Sequence, residues 1–159
     1  VSDPGSVVQA VALAAGLGAD VPACVYGVLQ TGQGRGDRLT PLHRPDLHGV
    51  PVLLVNPRVA VATAPVFRGW DGVDRGALDP AAPLAALRND LAAPAIVIAP
   101  VIADVIAALA AQPGAGLVRM SGSGATVFAL FDSAAARDSA AAVLAQRHPG
   151  WWQAATQLR

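Results

Sequence analysis

The stretch from Gly116 to Leu158 narrows the fold most. The apolar runs "GLVRM" and "ATVFALF" flank "SGSG", and the alternating "WWQAATQL" lies near the end of the chain. Both runs have strand length, and the glycines between them let the chain reverse. Ser133 stands where an N-cap belongs, ahead of an Ala-rich helix predicted to about Arg147. The alternation of "WWQAATQL" reads as an outer strand.

Upstream segments supply the remaining elements. "VPVLLVNP" (50–57) is a short apolar run ending in Asn-Pro, which suits a buried strand leading into a turn. "TAPVFRGW" (63–70) predicts a short helix with Thr63 as cap and Pro65 in its first turn. Between Leu78 and Ala93 prolines break the pattern into short helices. A firmer helix begins at Pro100, with Val101, Ile102, Val105, Ile106 and Leu109 along one face, and "QPGAG" ends it. Strand, helix, strand pair, helix, strand is the order of a ferredoxin-like α/β sandwich, an α+β fold.

The polar segment "HRPDLHG" (43–49) is the best domain boundary, which places the division at 1–45 and 46–159. Before it, Asp3 as N-cap, Pro4 at the first helical position and Val7, Val8, Val11 and Ala15 on one face predict a helix stopped by Gly16 and Gly18. Residues Ala23 to Thr31 read as a strand, paired with another through "GQGRGD", in which Asp37 is a turn residue.

Composition excludes several classes. With 159 residues and 53% hydrophobic content the chain has the size of one domain, or of one small domain and part of another. Eleven Arg balance eleven Asp, so no net field attracts nucleic acid or an anionic membrane, and neither is an expected partner. Lys and Glu are absent, which rules out a G-x-x-x-x-G-K-[ST] loop and a Schiff-base lysine. Cys24 is the sole cysteine, so no intramolecular disulfide forms; it reads as a small buried hydrophobe, and a reducing, cytoplasmic setting fits. No run approaches the ~20 apolar residues of a spanning helix. The chain starts without Met and enters a helix almost at once, as the downstream part of a longer protein would.

Few residues invite chemistry. Asp20, in "LGADVPAC", is either a turn or cap residue or a catalytic base, and its local sequence does not choose. "MSGSGATVF" lacks the helix that must follow a dinucleotide loop; a hairpin turn explains it, although so small a loop would let a backbone or a phosphate approach. His43, His48 and His148 lack metal-ligand spacing and read as surface histidines. Arg35, Arg38 and Arg44 read as a solvated rim. Phe67 and Trp70 either pack in the core or offer a flat ligand a stacking surface.

Taken in order, "LGADVPACVYG", "GQGRGDRLTPL", "NPRVAVATAPVF", "NDL" (89–91) and "RMSGSGATVFALF" resemble the 4-diphosphocytidyl-2-C-methyl-D-erythritol kinases, a family of the GHMP superfamily. The resemblance covers nearly the whole chain. It implies a GHMP-kinase C-terminal domain preceded by the tail of the N-terminal domain, with ATP and Mg2+ as cofactors. The implied reaction moves the γ-phosphoryl group of ATP to a hydroxyl of a cytidine-diphosphate-linked erythritol, in non-mevalonate isoprenoid synthesis. Asp20 matches the family's base, a role suited to a carboxylate because phosphoryl transfer rests on positioning and charge stabilisation. Thr63 and Phe67 match its substrate-binding segment, and Gly122, Ser123, Gly124 and Ala125 match the loop that supports its phosphate-binding loop. Cys24 replaces a usual aromatic, and Val28 a frequent glycine. The family's N-terminal lysine and Gly-rich phosphate loop have no counterpart, which implies a missing N-terminal half and an inactive isolated chain. The alternatives are another GHMP kinase, acting on a mevalonate derivative, a sugar or homoserine, and a truncated domain that only binds.

Overall fold

Proline is tolerated at the start of a helix because the first N–H groups have no intrahelical acceptor, and Pro4 opens helix α1 (Pro4–Ala15) in this way. The computed structural model describes residues 4–18, 20–36 and 38–159, so the predicted roles of Asp3, Asp37 and the Val7 and Val8 side chains fall outside what is described. The chain divides into two compact units, residues 1–48 with 159, and residues 49–158.

In the first unit α1 packs against α2 (Val21–Tyr26). The strand predicted from Ala23 to Thr31 is therefore corrected. Its first part is helical, because Pro22 favours a helix start and Gly27, at φ 59°, ends the turn by donating its N–H to the Ala23 carbonyl. A four-residue apolar run is compatible with either period, so the local pattern did not discriminate. Cys24 is correspondingly exposed on this short helix and not buried. Strand β1 (Gln30–Gln33) starts later and pairs antiparallel with β2 (Arg38–Pro41), from Gln30 opposite Pro41 to Gln33 opposite Arg38. The pair joined through the glycine-rich turn is as the sequence predicts.

The second unit is built on four antiparallel strands. These are β3 (Pro51–Asn56), β4 (Ala115–Met120), β5 (Val127–Phe131) and β6 (Trp152–Gln157), in the spatial order β4-β5-β3-β6. Between β3 and β4 run α3 (Thr63–Arg68), α4 (Ala92–Ile98) and α5 (Val101–Ala110), and α6 (Ala134–Arg147) joins β5 to β6. This is the βαββαβ order of the ferredoxin-like sandwich, with β6 at an edge.

Strand alternation sorts side chains to two faces. Leu53 and Val55 of β3 and Val127, Ala129 and Phe131 of β5 join Ile102, Val105 and Leu109 of α5 and Ala140 and Leu144 of α6 in the main core. Val52, Leu117 and Leu130 form a smaller cluster on the other face, with Leu54, Leu84 and Phe128 packed against it. Of the predicted α5 stripe, Ile102, Val105 and Leu109 are buried, while Val101 and Ile106 are only partly covered. Ser133 caps α6 as predicted, its hydroxyl accepting the Ala136 N–H at 3.2 Å. His148 is half-buried and stacks on Trp151 with ring centroids 3.8 Å apart, so it is not a plain surface histidine.

Candidate functional site

The site in the second unit grows from the β4–β5 turn. Residues Ser121 to Thr126 leave β4 and re-enter β5 across a closed neck, in which the Ser121 N–H donates to the Thr126 carbonyl at 2.8 Å. Within the loop the Gly124 N–H donates to the Ser121 carbonyl at 3.0 Å. Gly122 (φ 53°) and Gly124 (φ 92°) both occupy the left-handed region, where a side chain is strained. Their surroundings differ. A Cβ on Gly122 would meet no atom within 4 Å, whereas one on Gly124 would lie 3.0 Å from Met120 Sδ and 3.2 Å from Ile102 Cδ1. The loop thus presents an open backbone surface at Gly122 and packs inward at Gly124.

Three polar side chains tie this loop to the elements around it. Asn56, at the end of β3, donates from Nδ2 to Thr126 Oγ1 at 2.9 Å, and its Oδ1 accepts the Arg58 N–H at 2.7 Å. Asn89 donates from Nδ2 to the carbonyls of Met120 and Gly122, each at 2.8 Å, while its Oδ1 accepts the Leu91 N–H at 3.0 Å. Thr63 and Ser123 share a hydroxyl–hydroxyl hydrogen bond of 3.0 Å.

That last bond corrects one expectation and joins two others. Ala62 is the N-cap of α3 and Thr63 is the first helical residue, so the Thr63 hydroxyl is turned to the loop and does not cap the helix. Two of the residues singled out in the sequence, Thr63 and Ser123, consequently touch across 60 positions of chain. Phe67, one turn along α3, is 57% exposed, and Trp70 just past the helix is 40% exposed, so neither belongs to the core. An uncovered Phe one turn from a hydroxyl contact is a surface on which a flat ring can lie. Ala125 is buried and takes part in the core.

The segment after α3 is held by guanidinium groups. Arg75 pairs with Asp71 and, with the Val73 N–H, holds its carboxyl down at about 2. Arg88 reaches both Asp90 oxygens at 3.0 Å and donates to the Gly76 carbonyl. Arg119 on β4 donates to the Leu87 and Ala85 carbonyls at 3.0 Å each. An open groove of about 490 Å³ runs beside these groups, lined among others by Leu78, Arg88, Asn89, Ser121, Gly122 and Phe128.

Asp20 lies in the first unit. It is exposed and precedes α2 with φ −86° and ψ −15°, and its side chain makes no capping hydrogen bond. The backbone there explains why: a cap residue normally sits in the extended region, from which its oxygen can reach back to the helix N–H groups. Of the predicted arginine rim, Arg44 pairs with Asp46 at 2.8 Å. Among the described residues no group of His, Cys, Asp or Glu gathers to hold a metal ion, and no helix is long and apolar enough to cross a membrane.

Sequence patterns do not single out Asn56 or Asn89 as site residues. The available signal is that each asparagine opens one of the ordered stretches, "NPRVAVATAPVF" and "NDL", in Asn-Pro and Asn-Asp steps where asparagine often bonds nearby backbone.

The four-stranded sheet with its helices is a ferredoxin-like α+β domain that carries a small-residue loop between β4 and β5. Residues 71–150, half the chain, match the family "GHMP kinases C terminal", and the chain belongs to that family. It is 60% identical over 150 residues to a 4-diphosphocytidyl-2-C-methyl-D-erythritol kinase from Rhizorhabdus wittichii, covering 92% of this chain and 51% of that protein. The protein of the same name from Sphingopyxis alaskensis is 55% identical, covering 90% and 52%. A crystal structure of 4-(cytidine 5'-diphospho)-2C-methyl-D-erythritol kinase superposes with a TM-score of 0.75 at 31% identity, covering 92% of this chain and 56% of the other. The chain spans about half the length of the curated relatives it matches.

Proposed function

We propose that these residues form the C-terminal half of an ATP-dependent kinase that phosphorylates the 2-hydroxyl of 4-diphosphocytidyl-2-C-methyl-D-erythritol in non-mevalonate isoprenoid synthesis. The observation that carries this reading is the 60% identity to a kinase of that name across almost the whole chain. The geometry supports it, because Thr63, Phe67 and the Ser121–Thr126 loop form one connected surface.

In this reading residues 1–45 are the end of the kinase's N-terminal domain, and Asp20 is the base that accepts the hydroxyl proton as the oxygen attacks phosphorus. Its carboxylate is exposed and not spent on capping α2, which leaves it available for that role. Phe67 stacks on the cytosine ring, Thr63 borders it, and Gly122 to Ala125 back the loop that holds the phosphates. The 159 residues contain no lysine and no P-x-G-x-G-L-G-G-G-S-S phosphate loop. ATP and Mg2+ are therefore assigned to a site completed by an N-terminal half, which is also the partner this chain requires. The setting is the cytoplasm.

The test uses the full-length protein, with Asp20→Asn compared with wild type in a phosphoryl-transfer assay and by thermal melting. A general base contributes on the order of 10²–10⁴ in rate. The expected outcome is a kcat loss in that range with an unaltered melting temperature, since no capping bond is removed. Retained turnover overturns the assignment, and a wild-type protein inactive on this acceptor overturns the function.

A further inference from the structure

We infer that Asn89 is a positioning residue that clamps the Ser121–Thr126 loop to the start of α4, so that the loop, joined to α3 by the Ser123–Thr63 bond, holds the Phe67-bearing helix in place. Its role in turnover rests on the proposed phosphoryl-transfer reading, but its role in loop geometry rests on its three hydrogen bonds.

The Asn89 amide makes three hydrogen bonds. Both Nδ2 hydrogens go to main-chain carbonyls on the loop and its root, Gly122 O and Met120 O, and Oδ1 takes the Leu91 N–H. This pattern admits one amide orientation, since the reverse would set an oxygen 2.8 Å from two carbonyl oxygens. Asn89 itself cannot drift. Its carbonyl accepts the Ala92 N–H at 3.1 Å, and α4 begins at Ala92.

The position of the clamp matters as much as its strength. Asn89 lines three separate grooves, one beside Phe128 and Gly122, one beside Gly69 and Pro94, and one beside Ile106 and Val118. From the clamped loop the Ser123 hydroxyl bonds Thr63, the first residue of α3, and Phe67 follows one turn later. Three residues distant in sequence are thus linked in series: amide to loop, loop hydroxyl to helix, helix to exposed ring. A shift of the loop by a fraction of an ångström is passed to the surface that positions the ring, and misplacement of about 1 Å costs on the order of 10²-fold in rate.

Asn89→Asp retains the shape and the acceptor for Leu91 but sets an anionic oxygen against two carbonyls. Ser123→Ala cuts the second link with no change inside the core. Two measurements on the full-length protein decide the matter. In amide hydrogen exchange, Asn89→Asp is expected to raise exchange at Ser121 and Gly124 at least tenfold while amides within β3 and α5 stay as in wild type. In steady-state kinetics, Asn89→Asp is expected to lower kcat by ten- to a hundredfold, and Ser123→Ala by less, in the same direction and with a larger effect on acceptor KM than on ATP KM. Asn89→Gln should not restore the clamp, because its extra methylene moves the amide off both carbonyls. Unchanged loop exchange, or exchange that rises equally throughout the domain, overturns the clamp. Wild-type kinetics in both variants beside a loosened loop overturns the positioning role. Absence of activity in the wild-type protein defeats the proposed function and leaves the exchange measurement to judge the clamp.

Discussion

Gly124→Ala tests whether the loop is packed as described, and its cost can be worked from two terms. The first is conformational: an L-residue held in the left-handed region loses about 1–2 kcal/mol, and Gly124 sits at φ 92°. The second is steric: the new methyl would be 3.0 Å from Met120 Sδ and 3.2 Å from Ile102 Cδ1, and these side chains are 3% and 0% exposed. Overpacking of that kind costs about 1–3 kcal/mol. The sum, about 2–5 kcal/mol, is a large share of the ~5–15 kcal/mol that holds a domain together. Gly122→Ala is the internal control, since φ there is 53° and no atom lies within 4 Å of its Cβ. It incurs only the first term. Urea unfolding of both variants and wild type checks the arithmetic. With m of about 2 kcal/mol/M the Gly124→Ala midpoint should fall by about 1–2.5 M, and the Gly122→Ala midpoint by clearly less. Equal shifts in the two variants would refute the packing argument, and no shift in either would refute the left-handed backbone.

Two further outcomes follow from the same structure. Phe67→Ala in the full-length protein should weaken binding of a cytidine nucleotide by about five- to a hundredfold, because stacking on an aromatic ring contributes about 1–3 kcal/mol per base, and calorimetric titration with CDP reads it directly. The Phe67 ring is 57% exposed, so melting should move little, and unaltered affinity would remove the ring from the site. Asp71 is an exposed carboxylate that its Arg75 partner first, and the Val73 N–H second, lower to about 2. A carboxyl lowered in the fold supports the folded form above its ordinary range and loses that support as the pH falls toward 2. NMR titration should therefore place its midpoint near 2, returning toward ~3.9 in Arg75→Ala; a wild-type midpoint near 4 would show that the pair is not formed.

Much of the second unit was legible in the sequence because its periods are long and its punctuation strong. The apolar runs "GLVRM" and "ATVFALF" around "SGSG" have strand length, and they are the strands β4 and β5. Ser133 could be read as a cap because its hydroxyl acts on an N–H three residues away, within the reach of local sequence. Where the signal was short, it failed. "VPACVY" is a helix and not a strand because Pro22 and Gly27 set its ends, and six residues cannot display a period clearly enough to overrule a β-rich composition. Cys24 turned outward for the same reason, its burial having been judged by residue type.

The candidate site divides along the same line. The small residues of the Ser121–Thr126 loop, the exposed-or-core ambiguity of Phe67 and the cap-or-base ambiguity of Asp20 were all visible as residues, and the ordered motifs suggested the family. What the chain by itself determined was the strand order of the sandwich with the helices α3, α5 and α6, though not α4, together with the absence of lysine that excludes certain phosphate and Schiff-base chemistries. Tertiary structure decided the partners: that the Thr63 hydroxyl meets Ser123 across 60 residues, that Asn89 clamps carbonyls 31 and 33 residues away, and that Phe67 stays uncovered. Hydrogen bonds of this kind depend on ångström-scale placement of side chains from separate elements. That placement is set only when the sheet and helices have packed, and no local pattern encodes it.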